Sequence, residues 1–168
     1  MSAQPKAPLV QSRITSPLGE VLLAASEQGL AGVWFVHRQE HMPDHSQWTT
    51  DDAHPVLRDA AQQLNAYFLG ERQSFELPIY PAWGTPFQRA VWQALQRIPY
   101  GKTSTYGGIA HDIGNPKAVR AVGAAIGQNP HSIIVPCHRV VGANGSLTGF
   151  AGGLDRKKHL LAHEATHA

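Results

Sequence analysis

The first part of the chain alternates short apolar stretches with turn residues, a pattern that is typical of β-strands. The apolar stretches are residues 10–14, 20–25 and 30–36, and turn sequences at residues 16–19 and 28–29 separate them. This pattern predicts a small antiparallel meander of three strands.

Residues 37–52 are polar and contain Pro43, which predicts an exposed loop. His37, His41 and His45 recur every four residues, as metal ligands on one face of a helix would. Because Pro43 would disrupt such a helix, we interpret these histidines as part of a solvated loop and predict no metal site.

A change of pattern near residue 80 indicates a domain boundary. Apolar side chains recur at helical spacing over residues 55–69, and residues 74–79 are compatible with one more strand. Prolines and a glycine then mark a linker. We therefore predict an N-terminal domain of residues 1–82 and a C-terminal domain of residues 83–168.

The C-terminal domain begins with the residues that favour the start of a helix. Thr85 is suited to the N-cap, Pro86 to the first helical position and Gln88 to a capping box. Apolar positions then recur at helical spacing as far as Ile98, where a turn over residues 99–102 follows.

Residues 106–126 have the pattern of two short helices joined by a turn. Gly114 ends the first helix, and Asn115 and Pro116 are suited to cap and open the second, which runs to about Ile126. The predicted buried stripe of the second helix consists of Val119, Val122 and Ile126. Its opposite side is basic and small, which suits close approach to another surface or tight internal packing: Lys117, Arg120, Ala121 and Ala124.

Residues 133–141 place three reactive or polar side chains, Cys137, His138 and Arg139, between apolar residues that resemble buried strands. Burying such groups costs free energy unless each has a partner, and proteins accept this cost chiefly at functional sites. A thiol reacts as its thiolate, and an imidazole can act as its base directly or through a water. In an extended segment adjacent side chains point to opposite sides, so this pair needs a bridging water or a bend at Pro136.

A carboxylate that orients the imidazole would complete a triad, and Glu164 is the candidate. It lies near the end of a helix predicted over residues 154–164, where a carboxylate opposes the helix dipole. The residues alone leave two alternatives open, a frayed surface glutamate at this position and a buried, inert cysteine at Cys137.

Composition limits the class of protein. The chain has 168 residues, of which 42% are hydrophobic and 15% charged, enough apolar material for one or two small domains. A single cysteine excludes an internal disulfide and favours a reducing, cytoplasmic location. The first residues lack the pattern of a secretory signal, and no apolar run approaches a membrane span. A net charge of +2 permits DNA binding of modest affinity.

Several motifs of the chain, in the same order, resemble those of the methylated-DNA–protein-cysteine methyltransferases, also called alkylguanine-DNA alkyltransferases. The resemblance is most specific in the active-site segment 136–140 and in the recognition-helix segment 114–123. It extends to residues 85–92, 98–101, 128–130 and 160–164, and more weakly to residues 16–19 and 30–35.

The resemblance implies an α/β protein of two domains, a small ribonuclease-H-like α/β domain followed by a mainly helical domain with a helix-turn-helix. It also implies double-stranded DNA carrying alkylated guanine as the partner, bound through the minor groove with the damaged base flipped out. Arg120 would fill the gap left by that base, and Lys117, Ala121 and Ala124 would face the DNA. The protein is expected to be a monomer that needs no cofactor, metal or membrane.

The resemblance also assigns roles at the reacting centre. Cys137 attacks the alkyl carbon on O6 of guanine, with alkylated thymine left open as a substrate, and the thioether that forms limits the protein to one turnover. His138 acts as base through a water, Glu164 orients His138, and Tyr106 gives a hydrogen bond or proton to O6. Asn129 holds the turn before the active-site segment. The pocket for the base is formed by Val140, Phe150 and Ala151, the last two standing where hydroxyl residues often occur.

Three other functions would use parts of the same pattern. A protein that only recognises the lesion would lack the cysteine, which is present here as Cys137. A transcriptional regulator using the helix-turn-helix fits poorly with the modest charge and the small outer face. A hydrolase with a Cys–His pair would need an oxyanion hole and an acyl pocket, of which the sequence gives no sign.

Overall fold

The computed structural model describes residues 8–168. The N-terminal part of the chain is a sheet with one helix packed against one of its faces. Residues 1–7, where the sequence lacks the pattern of a secretory signal, lie outside the described residues. The predicted meander is confirmed as β1 (Val10–Ser16), β2 (Gly19–Ser26) and β3 (Gly29–Phe35), each antiparallel to the next. The predicted loop contains a short fourth strand, β4 (Thr49–Thr50), which pairs parallel with β1.

Both faces of the sheet are buried at β3 and along most of β2, which suits the apolar sequence of β3, whereas β1 and β4 are partly exposed. One face packs against α1 (Pro55–Phe68) through a core that includes Val21, Leu23 and Leu57. The other face carries Leu22 and Trp34, which pack with Trp83 from the linker.

The prediction of a further strand at residues 74–79 is wrong. Only Ile79 forms a single bridge, to Leu30 at the edge of β3, with Pro78 O accepting the Leu30 N–H at 2.7 Å. Pro78 has no N–H to donate to a ladder, and the Gln63 side chain bonds the backbone of Glu76 instead.

The C-terminal part is mainly helical. Its elements are α2 (Pro86–Leu95), β5 (Ser104–Thr105), α3 (Tyr106–Asp112), α4 (Val119–Gly127), β6 (Val140–Val141) and α5 (Leu154–His167). The capping box predicted at Thr85 and Gln88 is present. Helices α2, α3 and α4 pack around an apolar cluster that also contains Cys137.

Helix α4 begins later than predicted. Asn115 and Pro116 belong to a turn, closed by the Ala118 N–H donating to Asn115 O at 3.0 Å, and the helix starts at Val119. Because Val119 stands at the free amino-terminal end, it is 41% exposed, and its predicted place in the buried stripe is wrong. Val122 and Ile126 are buried as predicted.

The two parts share a core and a backbone connection. Ile133 and Leu160 from the C-terminal part lie in the core formed by the sheet and α1. The Val33 N–H donates to Pro130 O at 2.8 Å, and the Ser132 N–H donates to Val33 O at 3.1 Å. Over residues 8–168, the helices fall short of the length and apolar character that a membrane span requires.

Candidate active site

The segment that carries Cys137 turns sharply and is not extended. Cys137–Arg139 form one turn of 3-10 helix that follows Pro136, so of the two alternatives the bend at that proline is present. The strand predicted at residues 133–135 is wrong, because these residues form a turn, whereas the one predicted at residues 140–141 is confirmed as β6. The turn places Cys137 in the apolar cluster of α2, α3 and α4, while His138 and Arg139 reach α5. The chain then continues into β6, which pairs with β5.

Glu164 is the centre of a buried polar cluster. It accepts hydrogen bonds from His138 Nε2 at 2.8 Å, from Arg139 Nε at 2.7 Å and Nη2 at 3.0 Å, and from the Tyr67 hydroxyl at 2.7 Å. Its exposure is 1%, and α5 continues beyond it to His167. The alternative of a frayed surface glutamate is therefore wrong.

These contacts fix the charge state of the cluster. Burial raises the pKa of Glu164, but the hydrogen bonds from His138 and Arg139 outweigh burial and hold that pKa below its ordinary value. Burial lowers the pKa of His138 despite its bond to Glu164. The imidazole is therefore neutral, and it can accept the proton that Cys137 loses. With Nε2–H donating to the carboxylate, Nδ1 carries the free lone pair, and it meets no hydrogen-bond partner among residues 8–168.

Cys137 itself is 5% exposed. Burial raises the pKa of its thiol, an effect that the Asn129 amide and the positive charge of Lys157 oppose. The net shift is upward, so the resting group is a thiol that needs a base before it can react as a nucleophile.

Lys157 is a buried cation that the sequence analysis missed. Its Nζ donates to Val140 O at 2.5 Å and to Thr148 O and Gly149 O at 3.4 Å. Burial lowers its pKa, and the nearby Cys137 opposes that shift. A signal was present, because Lys157, Leu160 and Glu164 fall on one face of α5 at helical spacing.

Tyr67 was also missed as a site residue. It lies in the apolar stripe of α1, and burial together with the charge of Glu164 raises the pKa of its hydroxyl. The hydroxyl therefore keeps its proton and donates it in the hydrogen bond to Glu164.

The structure places the other predicted site residues around this centre. Asn129 Nδ2 donates to Val135 O at 2.9 Å, and its Oδ1 accepts from the His131 N–H at 3.0 Å, which fixes the turn after α4. Tyr106 begins α3 and packs against the cluster that contains Cys137.

Of the predicted base-pocket residues, Phe150 and Ala151 contact the N-terminal part of the chain. Val140 is buried, and its carbonyl already accepts from Lys157, which leaves one lone pair for another donor. Phe150 packs against both the helical cluster and the core of the sheet. Ala151 O accepts from the Glu40 N–H at 2.8 Å.

The predicted DNA-facing residues share the exposed surface around α4. Arg120, Ala121 and Ala124 are exposed on the helix, and Lys117 is exposed in the turn before it. Within residues 8–168, no group of three or more His, Cys, Asp or Glu side chains is arranged to hold a metal ion.

Comparison with known families gives two matches that together cover most of the chain. Residues 9–81 match the family described as 6-O-methylguanine DNA methyltransferase, ribonuclease-like domain. Residues 86–166 match the family described as 6-O-methylguanine DNA methyltransferase, DNA binding domain.

Individual proteins are similar over nearly their whole length. A methylated-DNA–protein-cysteine methyltransferase of Methanosarcina acetivorans is 52% identical over 90% of this chain and 95% of its own. One from Mycolicibacterium paratuberculosis is 48% identical over 92% of each chain. A crystal structure of Mycobacterium tuberculosis OGT in complex with DNA is 46% identical, with a TM-score of 0.85 over 93% of this chain and 92% of that one.

Proposed function

Because the chain belongs to the 6-O-methylguanine DNA methyltransferase family, we propose that it repairs DNA by moving an alkyl group from O6 of guanine to Cys137. Alkyl transfer to a cysteine is the chemistry that its relatives carry in their names, which favours this function over a regulator or a hydrolase. The observation that carries the assignment to Cys137 is its position next to a neutral His138 whose Nε2 is held by Glu164.

The proposed reaction is an in-line displacement at the alkyl carbon. His138 Nδ1 takes the thiol proton of Cys137 through a water, and the sulfur then forms a C–S bond as the C–O6 bond breaks. The electron pair of that bond stays on O6, where the Tyr106 hydroxyl supplies a hydrogen bond or a proton. His138 releases its extra proton to solvent, and solvent supplies one proton to the guanine, or to Tyr106 where the phenol has given its own. The net change is therefore a thioether on Cys137 and a neutral, intact guanine.

Glu164 serves this reaction as an orienting anion. Its lowered pKa keeps it ionised, so it stabilises the imidazolium that forms and does not itself take the proton. A thioether does not exchange with thiols as a disulfide does, and the sequence shows no group that would break its C–S bond, which supports one turnover per molecule.

The proposed DNA contacts lie on the exposed side of α4. We propose that α3 and α4 act as a helix-turn-helix in the minor groove, with Ala121 and Ala124 allowing close approach. Arg120 would take the place of the flipped guanine, and Lys117 would contact phosphate. Their exposure supports this role.

The remaining features of the proposal follow from the family and the composition. Asn129 would fix the active-site turn, and Val140, Phe150 and Ala151 would line the base pocket. The division at residues 82 and 83, the ribonuclease-H-like topology and the monomeric state stay predictions. The lone thiol supports a cytoplasmic location.

The test of this function is the mass of the protein after one reaction. Wild-type protein incubated with a duplex containing O6-methylguanine should gain one methyl group, located by peptide mapping at Cys137. Cys137→Ser should gain none, and undamaged duplex should leave the wild type unchanged. A methyl group on any other residue, or an unmodified wild type with the lesion removed, would show that the proposal is wrong.

A further inference from the structure

The loop between β6 and α5, residues 142–153, forms a hydrogen bond to α3 through the side chain of Thr148. Residues 143–147 are exposed, whereas Thr148 is half-buried. The Thr148 hydroxyl oxygen lies 2.7 Å from the hydroxyl oxygen of Tyr106. The phenol that we propose as the donor to O6 therefore already has a partner in the free protein.

The backbone of Thr148 also has a hydrogen-bond partner. Its carbonyl and that of Gly149 accept from the buried ammonium of Lys157, which also bonds Val140 O beside the active-site turn. The backbone position of Thr148 is thus tied to α5 and β6. Because a β-branched side chain has few χ1 rotamers, the hydroxyl has little freedom to turn away from Tyr106.

A phenol has one proton to donate and two lone pairs that can accept, so Tyr106 can bond Thr148 and a guanine at the same time. When Tyr106 donates to O6, the Thr148 hydroxyl can donate to the phenol oxygen. Consecutive hydrogen bonds of this kind polarise one another and strengthen the terminal donor. Negative charge grows on O6 as the C–O6 bond breaks, so the hydrogen bond from Tyr106 to O6 stabilises the transition state more than the bound substrate.

We infer that Thr148 is a positioning residue for alkyl transfer: its hydroxyl aims Tyr106 at O6 and strengthens it as a donor. This inference rests on the proposed function. The Thr148 proton stays on Thr148 throughout, so the residue changes the rate and leaves the balance of the reaction as described.

The test separates the chemical step from DNA binding. Single-turnover rates are measured against the concentration of lesion-containing duplex, which yields the rate constant at saturation and the half-saturating concentration. Thr148→Val keeps the shape of the side chain and removes the hydroxyl, and it should lower the saturating rate about threefold to tenfold, the effect of one hydrogen bond. Thr148→Ser should stay within about twofold of the wild type, since it keeps the hydroxyl.

A double-mutant cycle shows whether Thr148 acts through Tyr106. In a Tyr106→Phe background, Thr148→Val should cause no further loss of rate. Urea unfolding checks that each variant folds, and Thr148→Ala replaces Thr148→Val in the cycle if the valine variant does not.

Three results would overturn the inference: a wild-type saturating rate in Thr148→Val, an equal loss in the Tyr106→Phe background, or a change confined to the half-saturating concentration. Failure of the proposed function looks different, because the wild-type protein would then acquire no alkyl group at Cys137 at any duplex concentration.

Discussion

Replacing Glu164 with glutamine should destabilise the protein strongly. The carboxylate accepts four side-chain hydrogen bonds, two of them from the buried guanidinium of Arg139. Glutamine keeps the shape but removes the charge, and Arg139 is then left buried without an anionic partner. Breaking a buried ion pair in this way costs about 3–5 kcal/mol. A domain has a total stability of about 5–15 kcal/mol, so the loss should be a large part of it.

Urea unfolding followed by fluorescence of the four tryptophans measures this loss. Glu164→Gln should unfold at a lower urea concentration with a similar slope. Glu27→Gln is the matched control, because Glu27 is exposed in the turn between β2 and β3 and should unfold like the wild type. Equal midpoints for Glu164→Gln and the wild type would refute the view that this carboxylate balances a buried charge.

The wild type and Glu164→Gln also test the direction of the Glu164 pKa shift. The pKa of Glu164 is lower in the folded than in the unfolded protein, so its contribution is present above the unfolded pKa, about 4.3, and is lost as pH falls through the folded value. The difference in unfolding free energy between wild type and Glu164→Gln should stay level between neutral pH and about 5 and then narrow. If the difference in unfolding free energy widened below pH 5, the assignment of Glu164 as an ionised carboxylate would be contradicted.

Three further outcomes are expected. Burial lowers the pKa of His131 from 6.5 to about 4, so the unfolded chain binds the extra proton between these values, and the unfolding free energy should fall by about 3 kcal/mol over that range. His131→Gln should flatten this fall in urea unfolding measured against pH. Lys157→Met removes a cation that opposes the raised pKa of Cys137, so that pKa should rise further and the alkylation rate should increase over a higher pH range than in the wild type; an unshifted pH–rate profile would argue against this effect of Lys157. Arg120→Ala should slow repair of duplex DNA more than reaction with free O6-methylguanine, whereas the exposed control Arg58→Ala should slow neither. Equal losses on both substrates would contradict a base-flipping role for Arg120.

Features set by neighbouring residues could be predicted from the sequence. The meander follows from apolar stretches and turn residues that lie next to one another, and the start of α2 follows from Thr85, Pro86 and Gln88. Cys137 and His138 could be selected because their chemistry is out of place among apolar residues, whereas Glu164 could be named only as the carboxylate that a triad requires.

Other features could not be predicted, because the choice between two local structures or a contact with distant residues decides them. The start of α4 moved to Val119 because the turn over residues 115–118 satisfies its own hydrogen bonds. The segment at residues 74–79 resembles a strand but has only Leu30 at the edge of β3 to pair with. Tyr67 fits its helix stripe as an ordinary core residue, and its bond to Glu164 joins positions 97 residues apart.

That bond also bears on why the site needs the N-terminal part at all. Tyr67 comes from α1, whereas His138, Arg139 and Glu164 come from the C-terminal part. Without the phenol, one oxygen of a buried carboxylate would lose a donor, and the pKa of Glu164 would rise because Tyr67 is one of the groups that lower it. His138 and Arg139 lower the pKa of Glu164 more than Tyr67 does, so the carboxylate would stay ionised without the phenol but would be less well stabilised. The N-terminal part therefore takes part in the electrostatics of the site, because it supplies one of the donors that stabilise this buried anion.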